Sequence, residues 1–206
     1  MPLIKLKNTF IEKYLNDAFN GEIVNRKLTD YSQMNTTKEM DMAIAQNELR
    51  QELGDFSSII CLKAIITGVE EALGDKATAI ALISAGRQRG RMLAEKLDLV
   101  DKGKEVSLAD VTQKVQYALG KEGTRLCVVD KITQEDEGYK VYTHETVCSA
   151  GEPQGSSRQC TFTMGAIQGF LEAFLGKRLR GTQTESTLRE GTHDVFEYKI
   201  LGAVQK

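Results

Sequence analysis

The side chains best suited to chemistry in this sequence are two cysteines and two histidines in its C-terminal half. Cys148 and Cys160 flank a loop of eleven residues, His144 stands just before it, and His193 follows later. Cysteine and histidine are the ligands of a closed tetrahedral zinc site. The four do not form a compact motif, however, and none of the four cysteines of the chain (Cys61, Cys127, Cys148, Cys160) falls in a Cys-x-x-Cys pair. Free thiols, folded without metal, are the expectation. Cys160 lies at the expected start of a helix, where backbone N–H groups can lower a thiol pKa. This makes it the candidate for covalent attachment of a ligand, with a structural role as the alternative. His144 alternates with Tyr142 and Thr146 along an expected strand, so it faces either a cavity or solvent. Serine, histidine and aspartate occur, but without a nucleophile elbow, and no glycine-rich nucleotide fingerprint is present.

The elements that must position these groups centre on residues 148–176. Gly, Pro and Ser crowd the first part, through Ser157, which reads as a loop. From Phe162 to Leu175 the pattern is helical, and Gly176 stands where a left-handed C-terminal cap is wanted. Only Gln168 and Glu172 are polar in the body of this helix. A helix apolar nearly all round is a buried one. It nevertheless carries Gly165 and Gly169, four apart on one face. An earlier expected helix, residues 76–97, carries Gly86 and Gly90 at the same spacing on its apolar side. Interior glycine costs a helix roughly 0.5–1 kcal/mol relative to Ala, so both bare notches need a reason. Close packing of one helix on the other is one reading, and a shared ligand cavity is the second.

The chain has 206 residues, 41% of them hydrophobic, enough for a core. Its net charge of -2 gives no global attraction for nucleic acid. The run Gly86-Arg-Gln-Arg-Gly-Arg91 sits inside a helical period without aromatic residues for base stacking, which argues against an RNA-binding tract. No apolar run reaches the ~20 residues of a membrane span, leaving at most peripheral membrane contact. The start of the chain does not read as a signal peptide. A cytoplasmic protein is expected.

In order, residues 1–54 form an expected helical extension with apolar stripes at Phe10–Phe19 and Met40–Leu49, which suggest a homodimer or a protein partner. Residues 55–206 form the expected main domain. Its helices span 57–73, 76–97 and 107–119, the last with Ser107 as N-cap. A hairpin follows, from Leu126 through the turn at Asp136 to Val147. After the central helix come two extended runs, Leu179–Leu188 and Val195–Ile200. This is an α+β pattern, helices packed on an antiparallel sheet.

The order of Leu73-Gly74-Asp75-Lys76-Ala77, Ala85-Gly86-Arg87 with Gly90, Cys160-x-Phe162 with Gly165 and Gly169, and Gly176 before a terminal hairpin around Gly191 and Tyr198 resembles the 4-vinyl reductase domain family. That family in turn resembles the small subunits of the TRAPP vesicle-tethering complex. The resemblance covers residues 55–202. It implies a TRAPP-subunit-like ligand-binding domain, mostly non-catalytic, in a family whose members are linked to chlorophyll precursors or sense hydrocarbons. It further implies a hydrophobic ligand, with a tetrapyrrole as the candidate, in an accessory role in pigment handling or photosystem assembly. Gly86, Arg87, Gly90, His144, Cys148, Cys160, Phe162, Gly165, Gly169 and Phe170 are the residues expected to meet it. Phe174 would add a further flat wall, and Arg89 a further charge at the rim. The family's terminal hairpin often carries two cysteines that can ligate metal with an upstream cysteine. Here residues 184–200 contain none. A scaffold making protein contacts without ligand, and a true vinyl reductase, are the other two function classes.

Overall fold

The computed structural model describes residues 57–203. The expected extension, residues 1–54, lies outside the described residues, and so do both of its apolar stripes. Four helices and four strands follow: α1 Ile59–Leu73, α2 Asp75–Lys96, α3 Leu108–Leu119, β1 Val128–Glu135, β2 Gly138–His144, α4 Thr161–Leu175, β3 Lys177–Glu185 and β4 Asp194–Ala203, with a 3-10 turn at Thr187–Arg189. The strands form one antiparallel sheet in the order β1-β2-β4-β3. The helices pack on it, giving an α+β domain.

Local chemistry explains the boundaries. Ser58 and Ser107 cap α1 and α3 by accepting backbone N–H groups from Ile60 and Asp110. Gly74 ends α1 and begins α2 at φ 78°, a conformation that disfavours a side chain. Gly176 closes α4 in the left-handed region, at φ 64° and ψ 26°. The strand β1 extends beyond the short run expected at residues 126–129, through Glu135. It carries an irregularity between Val129 and Lys131, which leaves Asp130 out of the regular ladder.

The core forms where α2, α3 and α4 meet the sheet. Phe170, Phe174, Ile167 and Leu171 from α4 meet Val111, Val115 and Leu119 from α3 and Val129, Val141, Phe196 and Tyr198 from the strands. Phe170 and Phe174 stack with ring centroids 6.4 Å apart. The helix α1 differs from the others. Of its expected stripe (Ile59, Leu62, Ile66, Val69, Leu73) only Ile66 is buried; Ile60, Ile65 and Leu73 stand exposed, as does Ile80 of α2.

Candidate functional site

The two glycine notches face each other. A Cβ on Gly86 would fall 2.3 Å from the Phe162 carbonyl oxygen, and one on Gly90 would fall 1.8 Å from that of Ala166. Conversely, a Cβ on Gly165 would meet the Ile83 carbonyl and one on Gly169 the Arg87 carbonyl, at 2.4 and 2.0 Å. Each notch is filled by the backbone of the opposing helix. The cavity expected between the notches is therefore not there, and Gly86, Gly90, Gly165 and Gly169 bring α2 and α4 into backbone contact. Phe170, expected as a pocket wall, is buried within the core at 1% exposure, and Phe162 packs partly buried against it.

Arg87 is among the residues expected to meet a ligand. Its guanidinium instead reaches across to Glu172, Nε at 3.1 Å and Nη2 at 2.7 Å. Glu172 is a buried carboxylate on α4, and a buried charge is costly unless paired and hydrogen-bonded. Its second oxygen accepts the Leu179 N–H at 2.9 Å and the Gln168 side-chain N–H at 3.2 Å. The polar face Gln168–Glu172 thus ties α4 to both α2 and β3.

His144 lies at the sheet surface. Its Nδ1 stands 2.7 Å from Asp130 Oδ2, which also approaches His193 Nε2 at 3.3 Å. Both histidines turn to Asp130, while the hydrogen bonds of Cys148 and Cys160 run to Thr163, Thr146 and Gln183. Among the described residues no group of His, Cys, Asp and Glu side chains is arranged to hold a metal ion.

Cys148 and Cys160 do come together. Both are buried, at 6% and 1% exposure, at the start of α4, where Cys160 is the N-cap residue and each thiol shifts the ionisation of the other. Cys148 Sγ lies 3.5 Å from Thr163 Oγ1. The thiol of Cys148 is lowered from 9.0 to about 6, first by its hydrogen bond with Cys160, then by the Thr163 hydroxyl and the backbone N–H groups of Thr163 and Phe162, against the opposing effect of burial. Cys160 is pushed the other way, by the same hydrogen bond, by burial and by the charge of Cys148. The expectation that the helix start lowers Cys160 is therefore corrected. Cys160 is the N-cap residue itself, and the free N–H groups of the first turn point at Cys148, which the loop after β2 lays across the helix end.

Cys160 is embedded instead in a polar knot with the terminal hairpin. Its backbone N–H donates to Gln183 Oε1 at 2.8 Å, and its Sγ lies 3.3 Å from Thr146 Oγ1. Thr146 donates to the fully buried carboxylate of Asp194 at 2.8 Å, and Ser149, Ser186 and the Thr187 N–H donate to the same carboxylate at 2.9–3.1 Å. Gln183 Nε2 reaches Asp194 at 3.3 Å. Amide, hydroxyl and carboxylate groups thus hold hairpin and helix together by hydrogen bonds.

The open space lies next to this pair. A cleft of about 370 Å³ runs between α1, α2 and the loop before α4. Ala79, Leu82 and Thr161 line it on one side. Glu70, Asp75, Lys76, Glu152 and Arg158 supply its charge. A crevice of about 10 Å³, the size of one water, lies between Leu82, Arg158 and Thr161, which also line the cleft, and Lys63 and Cys148. Arg158 holds Glu70 bidentately at 2.7 and 2.9 Å, and its Nε lies 2.9 Å from Glu152. These carboxylates raise the Arg158 guanidinium further above its usual range, the hydrogen bond that Arg158 donates to Glu70 acting most. Lys63 of α1 pairs with Glu152 and donates to the Ala150 carbonyl at 2.6 Å. Glu152 is lowered, first by the Lys63 hydrogen bond. Of the expected ligand residues only Cys148 borders this space. Sequence reasoning missed Lys63, Glu70, Glu152 and Arg158; an arginine in a loop leading into a buried helix was the available signal.

Three comparisons bear on this architecture. No family model matches the chain, and no curated protein matches it. Solved structures share the fold. The phenol-responsive sensory domain of the transcription activator PoxR, solved with phenol, superposes with a TM-score of 0.55 at 16% identity, covering 71% of this chain and 76% of that one. A trafficking protein particle complex subunit 3 from Naegleria fowleri, covalently bound to palmitic acid, gives 0.51 at 12% identity, covering 72% and 95%. A vinyl-4-reductase family protein from Methanocaldococcus jannaschii gives 0.43 at 15% identity, covering 82% and 97%. The chain thus has a TRAPP-subunit-like α+β fold. No helix among the described residues is long and apolar enough to cross a membrane.

Proposed function

We propose that this domain is a non-catalytic binding module for a small, partly apolar molecule, held in the cleft between α1, α2 and the loop before α4. The observation that carries this is the cleft itself. Its volume of about 370 Å³ is within the roughly 300–1,000 Å³ of small-molecule sites. Apolar Ala79 and Leu82 and charged Lys76 and Arg158 meet there, the mixture such sites use to hold and orient a ligand. The shared fold with a phenol-responsive sensory domain and with a subunit bound to palmitic acid supports a small molecule of one of these kinds. A tetrapyrrole, with a role in pigment handling or photosystem assembly, is the finer reading. Its flat macrocycle would stand partly outside a cleft this small, with Lys76 placed to meet a carboxylate. Free thiols suit a reducing compartment such as the cytoplasm.

The test is calorimetric titration with phenols, long-chain fatty acids and porphyrins, on the wild type and on Ala79→Trp, which fills the cleft. Micromolar binding by one class, lost in Ala79→Trp, supports the reading. No binding by any class, or binding unchanged by Ala79→Trp, overturns it.

A second reading, a homodimer or scaffold, rests on one observation: Ile60, Ile65 and Leu73 of α1 and Ile80 of α2 are exposed large apolar side chains. A monomeric mass by light scattering, unchanged in Ile60→Glu/Ile65→Glu, would overturn the homodimer.

A further inference from the structure

The helix α1 is held to the domain differently from α4. Of its fifteen residues only Ile66 is buried, whereas α4, of equal length, buries twelve. We propose that α1 is a hinged lid over the cleft, turning about Gly74 and latched to the loop before α4 by Lys63 and Glu70. As the gate of a ligand site it rests on the binding reading above; as a motion it is tested without a ligand.

Three features of the geometry support it. The first is the hinge. Gly74 alone connects α1 to α2, at a positive φ where glycine is at ease. Its N–H donates to the Glu70 carbonyl on the α1 side, and its carbonyl accepts from the Thr78 N–H and hydroxyl on the α2 side. Rotation about the two backbone torsions of Gly74 therefore breaks neither set of bonds, and one such residue can absorb the change of a hinge. A Cβ at Gly74 would meet nothing within 4 Å, so nothing crowds it. The second is the latch. Lys63 pairs with Glu152 and donates to the Ala150 carbonyl, while Glu70 accepts from both Nη groups of Arg158. The four charged side chains keep 16–23% of their surface exposed, where water and salt can compete for the pairs. The third is what lies beneath. Lys63 and Ile66 line the one-water crevice from α1, and Leu82, Val147, Cys148 and Thr161 line it from the rest of the domain. Leu82, Arg158, Gln159 and Thr161 also line the cleft.

Lifting α1 thus joins the crevice to the cleft and uncovers more of the apolar Leu82 and Val147. The same motion frees Lys63 from Glu152 and Glu70 from Arg158. An apolar ligand enters beside Ile66, and the pairs re-form when the lid closes over it, which keeps water out. An element with one buried apolar anchor and partly exposed ion pairs opens locally at a lower cost than the core unfolds.

The experiment uses the full chain with Cys61→Ser, which removes the exposed thiol. Iodoacetamide is larger than the crevice beside Cys148, so labelling of that thiol reports opening. Cys127, buried in the core, reports global unfolding. Rates are read by peptide mass at urea concentrations below the unfolding transition. Cys148 should label at a rate nearly independent of urea, while labelling of Cys127 climbs steeply with it. Glu70→Gln and Lys63→Met should each raise the Cys148 rate several-fold, as should about 1 M sodium chloride, which screens the latch. A second measurement follows α1 itself. Spin labels on the native Cys61 and on Lys114→Cys of α3, in a chain with Cys148→Ser, should show two distances, the second growing when Glu70→Gln is added. A Cys148 rate with the urea dependence of Cys127, a rate that both latch variants and salt leave unchanged, or a single α1–α3 distance unaltered by Glu70→Gln would each overturn the proposal. If the titrations with phenols, fatty acids and porphyrins find no binding, the cleft loses its ligand, and the labelling and distance measurements still decide whether α1 opens.

Discussion

The middle and the start of α4 solve opposite problems. In the middle, α4 meets α2 through four glycines, and each backbone occupies the space a side chain would need. At the start, side chains fill the space between the helix, the loop after β2 and the terminal hairpin, and nearly every one is polar: Thr146, Ser149, Thr163, Gln183, Asp194 and two thiols. The middle is a dry contact with no room for a ligand. The start is a network of donors and acceptors bordered by a cleft. Absent side chains signal closeness in this protein, and openness occurs where a loop crosses the helix end.

The sharpest way to break the comparison is a bulky residue at the glycine contact. Gly169→Leu or Gly90→Leu should cost about 3 kcal/mol or prevent folding, because even the first added carbon would overlap a carbonyl of the other helix. Urea denaturation measures it. Near-wild-type stability would mean that the helices separate easily and that the notch can open.

Next in size is the pair that bridges the same two helices. Arg87→Ala leaves Glu172 as a buried carboxylate without its cation. The expected loss is about 2 kcal/mol, below the ~3–5 kcal/mol of a fully buried pair because the Arg87 side chain is 41% exposed. A double-mutant cycle with Glu172→Gln should show strong coupling. Additive effects would make the bridge incidental.

A smaller effect tests the start of the helix. In the Cys61→Ser background, alkylation of Cys148 should follow a titration with its midpoint near 6, and Thr163→Val should move that midpoint upward. Stability carries the same signature. The Cys148 thiol is lowered in the folded chain, so its contribution is complete above the unfolded value of 9.0 and is lost as pH falls through about 6. Cys160 is raised, so its contribution holds below 9.0 and is lost as pH rises past it. The denaturation midpoint should therefore climb between pH 6 and 9, and Cys148→Ser should flatten that climb.

The smallest prediction is a control on glycine itself. Gly68 of α1 has open space where a Cβ would go. Gly68→Ala should stabilise the protein by roughly 0.5–1 kcal/mol through helix propensity alone, read from the thermal midpoint. A loss there would mean that α1 is covered at that position.

Much of the frame was legible in the chain. The apolar circumference of residues 162–175 announced a buried helix, Gly176 its left-handed end, Ser107 the start of α3, and the change to a two-residue period the hairpins. The glycine pairs were legible as notches. Their occupant was not, because spacing within one helix says which face is bare and nothing about what approaches it. The hydrophobic stripe of α1 was read as a stripe, yet only Ile66 is buried; a pattern shows that a face could be covered, and tertiary contacts decide whether it is.

The sequence by itself determined the element order, the α+β class and the residues able to do chemistry, since propensity, capping and periodicity act over a few positions along the chain. Only the tertiary structure decided how those residues are used. It sent Arg87 to Glu172 and His144 to Asp130, and it gave the free N–H groups of α4 to Cys148 rather than to Cys160, the nearer in sequence. Hydrogen bonds and charge act over a few ångströms of space, and the fold brings the loop after β2, the start of α4 and the terminal hairpin within that reach.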